Sequence, residues 1–281
     1  MSADASKIDP KDFRDIDPGD RLLMGPGPSD VPERVLLAMA APCIGHLDPY
    51  FLETMNETQQ LLRHLFQTKN ALTIPVSATG SAGMEACFVN LVEPGDKVAV
   101  AVNGVFGTRM CDIVTRIGGR LIKIAGEWGR AVDPEAVAGA VKDSNPKVVA
   151  VVHAETSTGA CTPLEDISKI VHEAGALFLV DCVTSLAGID VPIDRMNVDA
   201  AYSGTQKCIS SPPGLSPVTF SPAAVKALDQ RRHPVVSWYL DFSMIRDYWG
   251  NERKYHHTAP VNMIYGIREA LRIIAEEGLE A

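Results

Sequence analysis

Basic clusters, paired-cysteine spacings and long apolar runs are all missing from this chain of 281 residues. Its 26 Lys and Arg are outnumbered by 35 Asp and Glu, for a net charge of −9. Binding a phosphate backbone requires cations gathered on one face, so nucleic acid is not an expected partner. A local site can carry the opposite sign, so a small anionic ligand stays compatible with an acidic whole. The six cysteines (Cys43, Cys87, Cys111, Cys161, Cys182, Cys208) form no CxxC pair and read as thiols of a reducing compartment. No uncharged apolar run reaches the ~18 residues that span a bilayer, so no membrane crossing is expected. The first twenty residues have neither the apolar stretch of a secretory signal nor the Arg-rich pattern of a transit peptide. The expected setting is the cytoplasm. Internal repeats and low-complexity tracts are absent as well.

What is present is the composition of a globular protein, 46% hydrophobic and 22% charged. Residues 1–20 read as a poorly packed N-terminal arm, and residues 21–281 as the folded body. The stretch MGPGPSDVP forces a loop before a short helix with Pro32 in its first turn. Asp48 and Pro49 open a longer helix, with Leu52, Met55, Leu62, Leu65 and Phe66 on one face. From residue 71 strands and helices alternate. Strands are expected over 71–76, 97–102, 120–125, 147–152 and 176–180, and helices over 81–92, 106–117, 134–142 and 163–174. VVAVV and ALFLV are apolar without alternation, as strands covered on both faces are. The pattern predicts an α/β fold with a mostly parallel sheet, whose ligands bind beyond the carboxyl ends of the strands.

Those ends carry the unusual residues. After Val76 the turn SATGSAG runs into a helix, where free N–H groups receive phosphate; small residues also serve close packing of helix on sheet. GxGxxG is absent and the second strand ends at Asn103, not at an acidic residue, which speaks against an NAD-binding fold. Phe106 is either the first aromatic beyond its strand, facing a ligand, or an ordinary core residue at a helix start. In HAETSTGA, Thr156 and Ser157 either cap the next helix or face a ligand. Asp181 ends LFLVD near the core, where an unpaired carboxylate is very costly; it needs a cation or several donors, or it caps the next segment. Lys207, in YSGTQKC, reads alone as a surface lysine. Its place after a phosphate-type turn, an aromatic, a hydroxyl and an aspartate makes it a catalytic candidate.

The stretches LLMGPGPSDVP, SATGSAGMEA, EPGDKVAVAVNGVFGTR, HAETSTGA, LVDCVTSLAG, YSGTQKCISSPPGLSPV and YHHTAPVNMIYGIREAL carry a resemblance from about Leu22 onward. The chain resembles the class V aminotransferases among fold type I pyridoxal-phosphate (PLP) enzymes, nearest to the alanine–glyoxylate and serine–glyoxylate (serine–pyruvate) group. The resemblance implies the PLP-binding large domain of that fold, a mostly parallel, seven-stranded type of sheet between helices. It implies Lys207 as the Schiff-base lysine and Asp181 as the partner of the pyridinium nitrogen. Phe106 would stack on the ring, where many relatives have Trp. Thr156 would approach the ring hydroxyl, and Gln206 the phosphate. Thr79, Gly80 and Ser81 would offer the phosphate backbone and hydroxyl donors; Ser81 stands where some relatives have His. Tyr255 and Thr258 would reach the phosphate of the other subunit, so the expected unit is a homodimer. Gly27 would border the substrate. No metal is expected at His256-His257, which have no third ligand nearby in sequence.

The activity so implied is ping-pong transamination of a small amino acid, alanine or serine, with a 2-oxo acid, glyoxylate or pyruvate. Ureidoglycine–glyoxylate transamination is a rival within the family. A PLP lyase or cysteine desulfurase of the same fold is another, but it would carry His where Phe106 stands and a mobile Cys, whereas Cys208 is fixed beside Lys207. Relatives continue into a smaller C-terminal domain bearing an Arg for the substrate carboxylate. This sequence stops at Ala281, so a catalytically incomplete fragment that binds PLP and dimerises is a further expectation.

Overall fold

The computed structural model describes residues 9–280; residues 1–8 of the expected arm, and Ala281, lie outside the described residues. Residues 11–20 of that arm are exposed throughout. Helix α1 (Glu33–Met39) begins after Pro32, which stands just outside as the N-cap and not in the first turn. Helix α2 (Pro49–Leu65) begins where its residues require. The Asp48 carboxylate accepts from the N–H of Tyr50 at 2.9 Å, and Pro49 fills the first position, where no N–H is needed. Its buried face includes Phe51, Met55, Leu62 and Leu65.

The alternation expected from residue 71 is present. It runs β1 (Leu72–Val76), α3 (Gly80–Leu91), β2 (Lys97–Val102), α4 (Val105–Arg116), β3 (Arg120–Ala125), α5 (Pro134–Ser144) and β4 (Val148–Val152). A hairpin of two-residue strands follows, β5 (Ala154–Glu155) and β6 (Ala160–Cys161), then α6 (Glu165–Glu173) and β7 (Leu177–Asp181). Beyond them lie β8 (Ala200–Tyr202), β9 (Ser216–Phe220), α7 (Pro222–Asp229), α8 (Phe242–Trp249) and α9 (Val261–Glu277). The main sheet has seven strands in the order β1-β9-β8-β7-β4-β2-β3. Its neighbours pair in parallel except at β9, which runs antiparallel to both β1 and β8. Every residue of β4 is buried, and so is β7 after Leu177, as their unbroken apolar runs require.

One local problem in β9 decides how α3 sits. Pro217 accepts from the N–H of Ser203 at 2.8 Å but has no N–H to complete the pair. The Ser203 carbonyl accepts instead from the Ser216 hydroxyl, at 2.5 Å. That hydroxyl fills the space a side chain at residue 83 would need: a Cβ on Gly83 would fall on Ser216 Oγ and lie 2.9 Å from Ser216 Cβ. Gly83 therefore lets α3 settle onto β8 and β9. The first turn of α3 comes down over the loop after β8, with the Cβ position of Gly80 only 3.4 Å from Gly204 Cα. On the other side of the molecule α9 packs on α1 and α2, and Arg34 pairs with Glu269 and Glu276 at 2.6 Å each. Among the described residues no helix is long and apolar enough to cross a membrane.

Candidate active site at the carboxyl ends of the strands

Asp181 is the last residue of β7 and only 2% exposed. Its Oδ1 accepts from the N–H of Val183 at 2.8 Å and its Oδ2 from the hydroxyl of Tyr202 at 2.7 Å. Both donors are neutral, and among the described residues no Lys or Arg pairs with it. Burial therefore pushes its carboxyl up to about 6, and the Tyr202 and Val183 bonds pull it back only in part. A buried carboxylate in this state is a receptor for a cationic N–H donor.

Lys207 lies in the loop after β8, where its Nζ donates to the Pro26 carbonyl at 2.8 Å. Burial lowers its pKa, against the opposing charge of Asp181. The loop expected to border the substrate lies on Lys207 itself. Gly27 has φ +142°, and a Cβ there would be 2.8 Å from Lys207 Cδ and 3.1 Å from Nζ. Ser29 clamps the two loops together: its N–H donates to the Gln206 carbonyl at 2.9 Å and its hydroxyl to the Lys207 carbonyl at 2.7 Å. Among the described residues the side-chain oxygen of Gln206 is buried without a partner.

At the start of α3, Thr79 makes no side-chain cap, and the N–H groups of Gly80 and Ser81 stay available to an anion. Phe106, half-buried in the first turn of α4, is reached from that turn through Arg109. The Arg109 guanidinium lies 4.9 Å from the centre of the Phe106 ring and donates to Ser81 Oγ at 3.1 Å. The N–H of Phe106 donates to Oε2 of the buried Glu155 at 3.1 Å. Next in sequence, Thr156 hydrogen-bonds through its hydroxyl to Thr184, three residues past Asp181. Thr79, Gly80, Ser81, Phe106, Thr156, Asp181, Gln206 and Lys207 thus gather at the carboxyl end of one sheet, with Gly27 laid over the lysine.

Tyr255 and Thr258 stand apart from this set, on the surface. Tyr255 is 58% exposed, its hydroxyl 3.5 Å from Thr258 Oγ1 and its ring 5.1 Å from that of His46. The residues between them anchor the loop. His257 Nε2 meets Ser77 Oγ at 2.8 Å, and His257 Nδ1 lies 2.8 Å from His256 Nδ1. Four residues at this site escape sequence reasoning: Ser29, Arg109, Glu155 and Tyr202. All four stand inside motifs read above, but only their remote partners reveal what they do.

The family model described as Aminotransferase class-V matches residues 22–281. A crystal structure of alanine–glyoxylate aminotransferase from Nostoc sp. superposes with a TM-score of 0.93 at 48% identity, over 98% of this chain and 74% of that one. The (S)-ureidoglycine–glyoxylate transaminase of Bacillus subtilis is 39% identical, over 92% of this chain and 67% of its own length. The alanine–glyoxylate aminotransferase of Felis catus is 39% identical, over 92% of this chain and 64% of its own length. The chain spans about two thirds of the length of the curated relatives it matches.

Such a family implies pyridoxal phosphate as the cofactor, and the residues present fit it. Asp181 lacks the cation that a pyridinium N–H supplies. The uncapped start of α3 suits a phosphate, and the amine of Lys207 is eased toward its uncharged, nucleophilic form. Sequence, sheet topology and site agree, and the chain belongs to the class-V aminotransferase family.

Proposed function

We propose that this chain is the cofactor-binding part of a PLP-dependent aminotransferase that moves the amino group of alanine or serine to a 2-oxo acid, glyoxylate or pyruvate. The observation that carries the reading is the Asp181 carboxylate, buried at a strand end with only neutral donors, near enough to Lys207 to oppose the lowering of its pKa. Glyoxylate is common to the names of the Nostoc, cat and Bacillus relatives, which supports it as the acceptor. The donor differs among those names. (S)-Ureidoglycine is therefore the second reading, supported by the 39% identity to the Bacillus enzyme.

When bound, PLP supplies an electron sink for the charge left on the amino acid's α-carbon. Lys207 would hold the cofactor through Nζ, and Asp181 would hold the proton on its ring nitrogen. Phe106 would cover a face of the ring, Thr156 would lie toward its hydroxyl, and the first N–H groups of α3 with Gln206 would take its phosphate. A cation beside Asp181 reverses the effect of burial there, so the carboxylate and the ring proton stabilise each other. Burial lowers the pKa of Lys207, which favours its uncharged amine. Its Nζ is then able to accept the proton of the α-carbon and to return it. Gly27 keeps the space over Nζ open, and the Pro26 carbonyl orients the amine.

The active unit in this reading is a homodimer, with Tyr255 and Thr258 turned toward the phosphate site of the second copy. Exposure of the apolar side chains Val236, Trp238 and Tyr255 around this loop supports it. Visible absorbance of the purified protein with PLP tests the reading. The expected result is a band from Lys207-bound cofactor that fades with L-alanine or L-serine and returns with glyoxylate. Absence of a band overturns the reading. Fading with (S)-ureidoglycine alone moves it to the second donor.

A further inference from the structure

Helix α4 carries no cap of its own. Its N-cap residue is Gly104, which has no side chain to accept from the helix's first N–H groups. Those groups are instead taken up from the β5–β6 hairpin. Oε2 of Glu155 accepts from Phe106 N at 3.1 Å and from Gly107 N at 3.4 Å, the two positions that a capping side chain at residue 104 would serve. Ser157 Oγ accepts from Val105 N at 3.0 Å. Oε1 of Glu155 accepts from the N–H and hydroxyl of Ser157, at 3.1 and 2.7 Å. The Glu155 side chain thus has four donors on its two oxygens while only 1% of the residue is exposed. The hairpin itself is closed by N–H donation from Thr158 and Gly159 to the Glu155 carbonyl, at 3.1 and 2.8 Å.

The absence of a side chain at residue 104 and the presence of Glu155 are one arrangement. A Cβ on Gly104 would fall on Cγ and Cδ of Glu155 and lie 2.7 Å from Ser157 Oγ. The backbone at Gly104 is extended, with φ −179° and ψ −165°, so its conformation does not demand glycine. Occupied space does. The remote carboxylate has displaced the local cap, and by doing so it ties the Phe106 backbone to the hairpin whose next residue is Thr156.

We infer that Glu155 is a positioning residue: it sets the Phe106 ring, and with it the aromatic wall of the cofactor site, by capping α4 from the hairpin that follows the neighbouring strand β4. The inference rests on the proposed PLP reading, since the ring is positioned for that cofactor. Arg109, over the Phe106 ring and bonded to Ser81, moves with the same turn, so a shift of α4 also reaches the start of α3.

Three variants are compared with the native chain: Glu155→Gln, Glu155→Ala, and Glu155→Ala combined with Gly104→Asp. The first keeps the volume but sets an N–H₂ donor against backbone donors. The third restores a cap at residue 104 in the space that truncation vacates. PLP affinity is titrated on the cofactor-free protein, and hydrogen exchange of amides 105–108 is followed in the same samples. Loss of bonds to a charged acceptor is expected to weaken PLP binding by roughly tenfold or more in the two single variants, with faster exchange at 105–108. Gly104→Asp is expected to restore both. Native affinity in both single variants overturns the inference. So does a double variant that recovers thermal stability and slow exchange while its PLP affinity stays low. If Glu155→Ala does not fold, Glu155→Gln alone decides, by the same two readouts. A native chain that binds no PLP overturns the functional reading instead, and the exchange rates then judge the cap by itself.

Discussion

Tyr202 donates its hydroxyl to Oδ2 of Asp181 at 2.7 Å, across strands in which these two residues are register partners. Burial and the neighbouring carboxylate drive the phenol's pKa well up, so Tyr202 stays a neutral donor. Asp181 is thereby held in place but not neutralised.

A stability signature follows from that pair. The Asp181 carboxyl titrates near 6 in the fold against an ordinary 3.8. Between those values the folded chain binds more protons than the unfolded chain, so without cofactor this group's contribution to stability falls as pH rises from about 4 to about 6. The loss is at most about 3 kcal/mol. Urea midpoints measured across this window should show the slope in the native chain, and Asp181→Asn or bound PLP should remove it. The same substitution should slow the amino-transfer half-reaction by roughly tenfold to a hundredfold. An unchanged single-turnover rate would overturn the role given to Asp181.

His257 works in the opposite direction. Burial first, then His256 and His46, lower its pKa to about 4 from 6.5. The unfolded chain binds the extra proton in that window, so stability from this residue is present above about pH 6.5 and is lost as pH falls through about 4. The ring is only half-buried, and solvent screening keeps the effect below that of Asp181. His257→Gln should flatten the acid side of the stability profile in a denaturant titration. A mutant whose profile keeps the native slope would contradict the assignment.

Gly27→Ala should damage the site more than its small size implies. Residue 27 has φ +142°, and its Cβ would stand 2.8 Å from Lys207 Cδ. Forcing an L side chain into that conformation costs about 1–3 kcal/mol, relieved only by moving the loop off the lysine. The expected outcome is a weakened or shifted visible band of the PLP complex with little change in the melting temperature of the rest of the fold. Native absorbance would show that the loop gives way freely.

Gly83→Ala should instead unsettle the whole domain, because the added methyl falls on Ser216 Oγ. A destabilisation of about 3 kcal/mol is expected, at the upper end of ordinary overpacking. Ser216→Ala should cost about 1–3 kcal/mol by leaving the buried Ser203 carbonyl without its donor. The double variant should be more stable than the sum of the two single losses predicts, since removal of the hydroxyl makes room for the methyl. Strict additivity in a thermal or urea unfolding cycle would dismiss the clash.

Much of this was legible locally. Asp48-Pro49 and Asp133-Pro134 announce helix starts because a cap and a first-turn proline act within three residues, and both carboxylates do accept from the N–H two residues on. VVAVV and LFLVD announce buried strands because an unbroken apolar run needs cover on both faces. Asp181 stands out because a charge at the end of such a strand is locally anomalous, whereas Lys207 is marked only by its place after the turn, the aromatic, the hydroxyl and the aspartate. By contrast β8 has three residues, and β9 contains Pro217, whose place in the sheet depends on a hydroxyl that no pattern of hydropathy records.

By itself, then, the sequence determined the order of the main strands and helices between residues 71 and 181, the ends of those strands and the chemical kinds of residue set there. Each of these depends on near neighbours, through capping, apolar periodicity and the cost of a charge beside a buried run. Only the tertiary structure decided which of those residues act together. Glu155 meets Phe106 across 49 residues, Arg109 meets Ser81 across 28, and Ser29 meets Lys207 across 178. Such pairs are fixed by sheet order and by how closely α3 and α4 approach it, and a linear pattern carries neither distance.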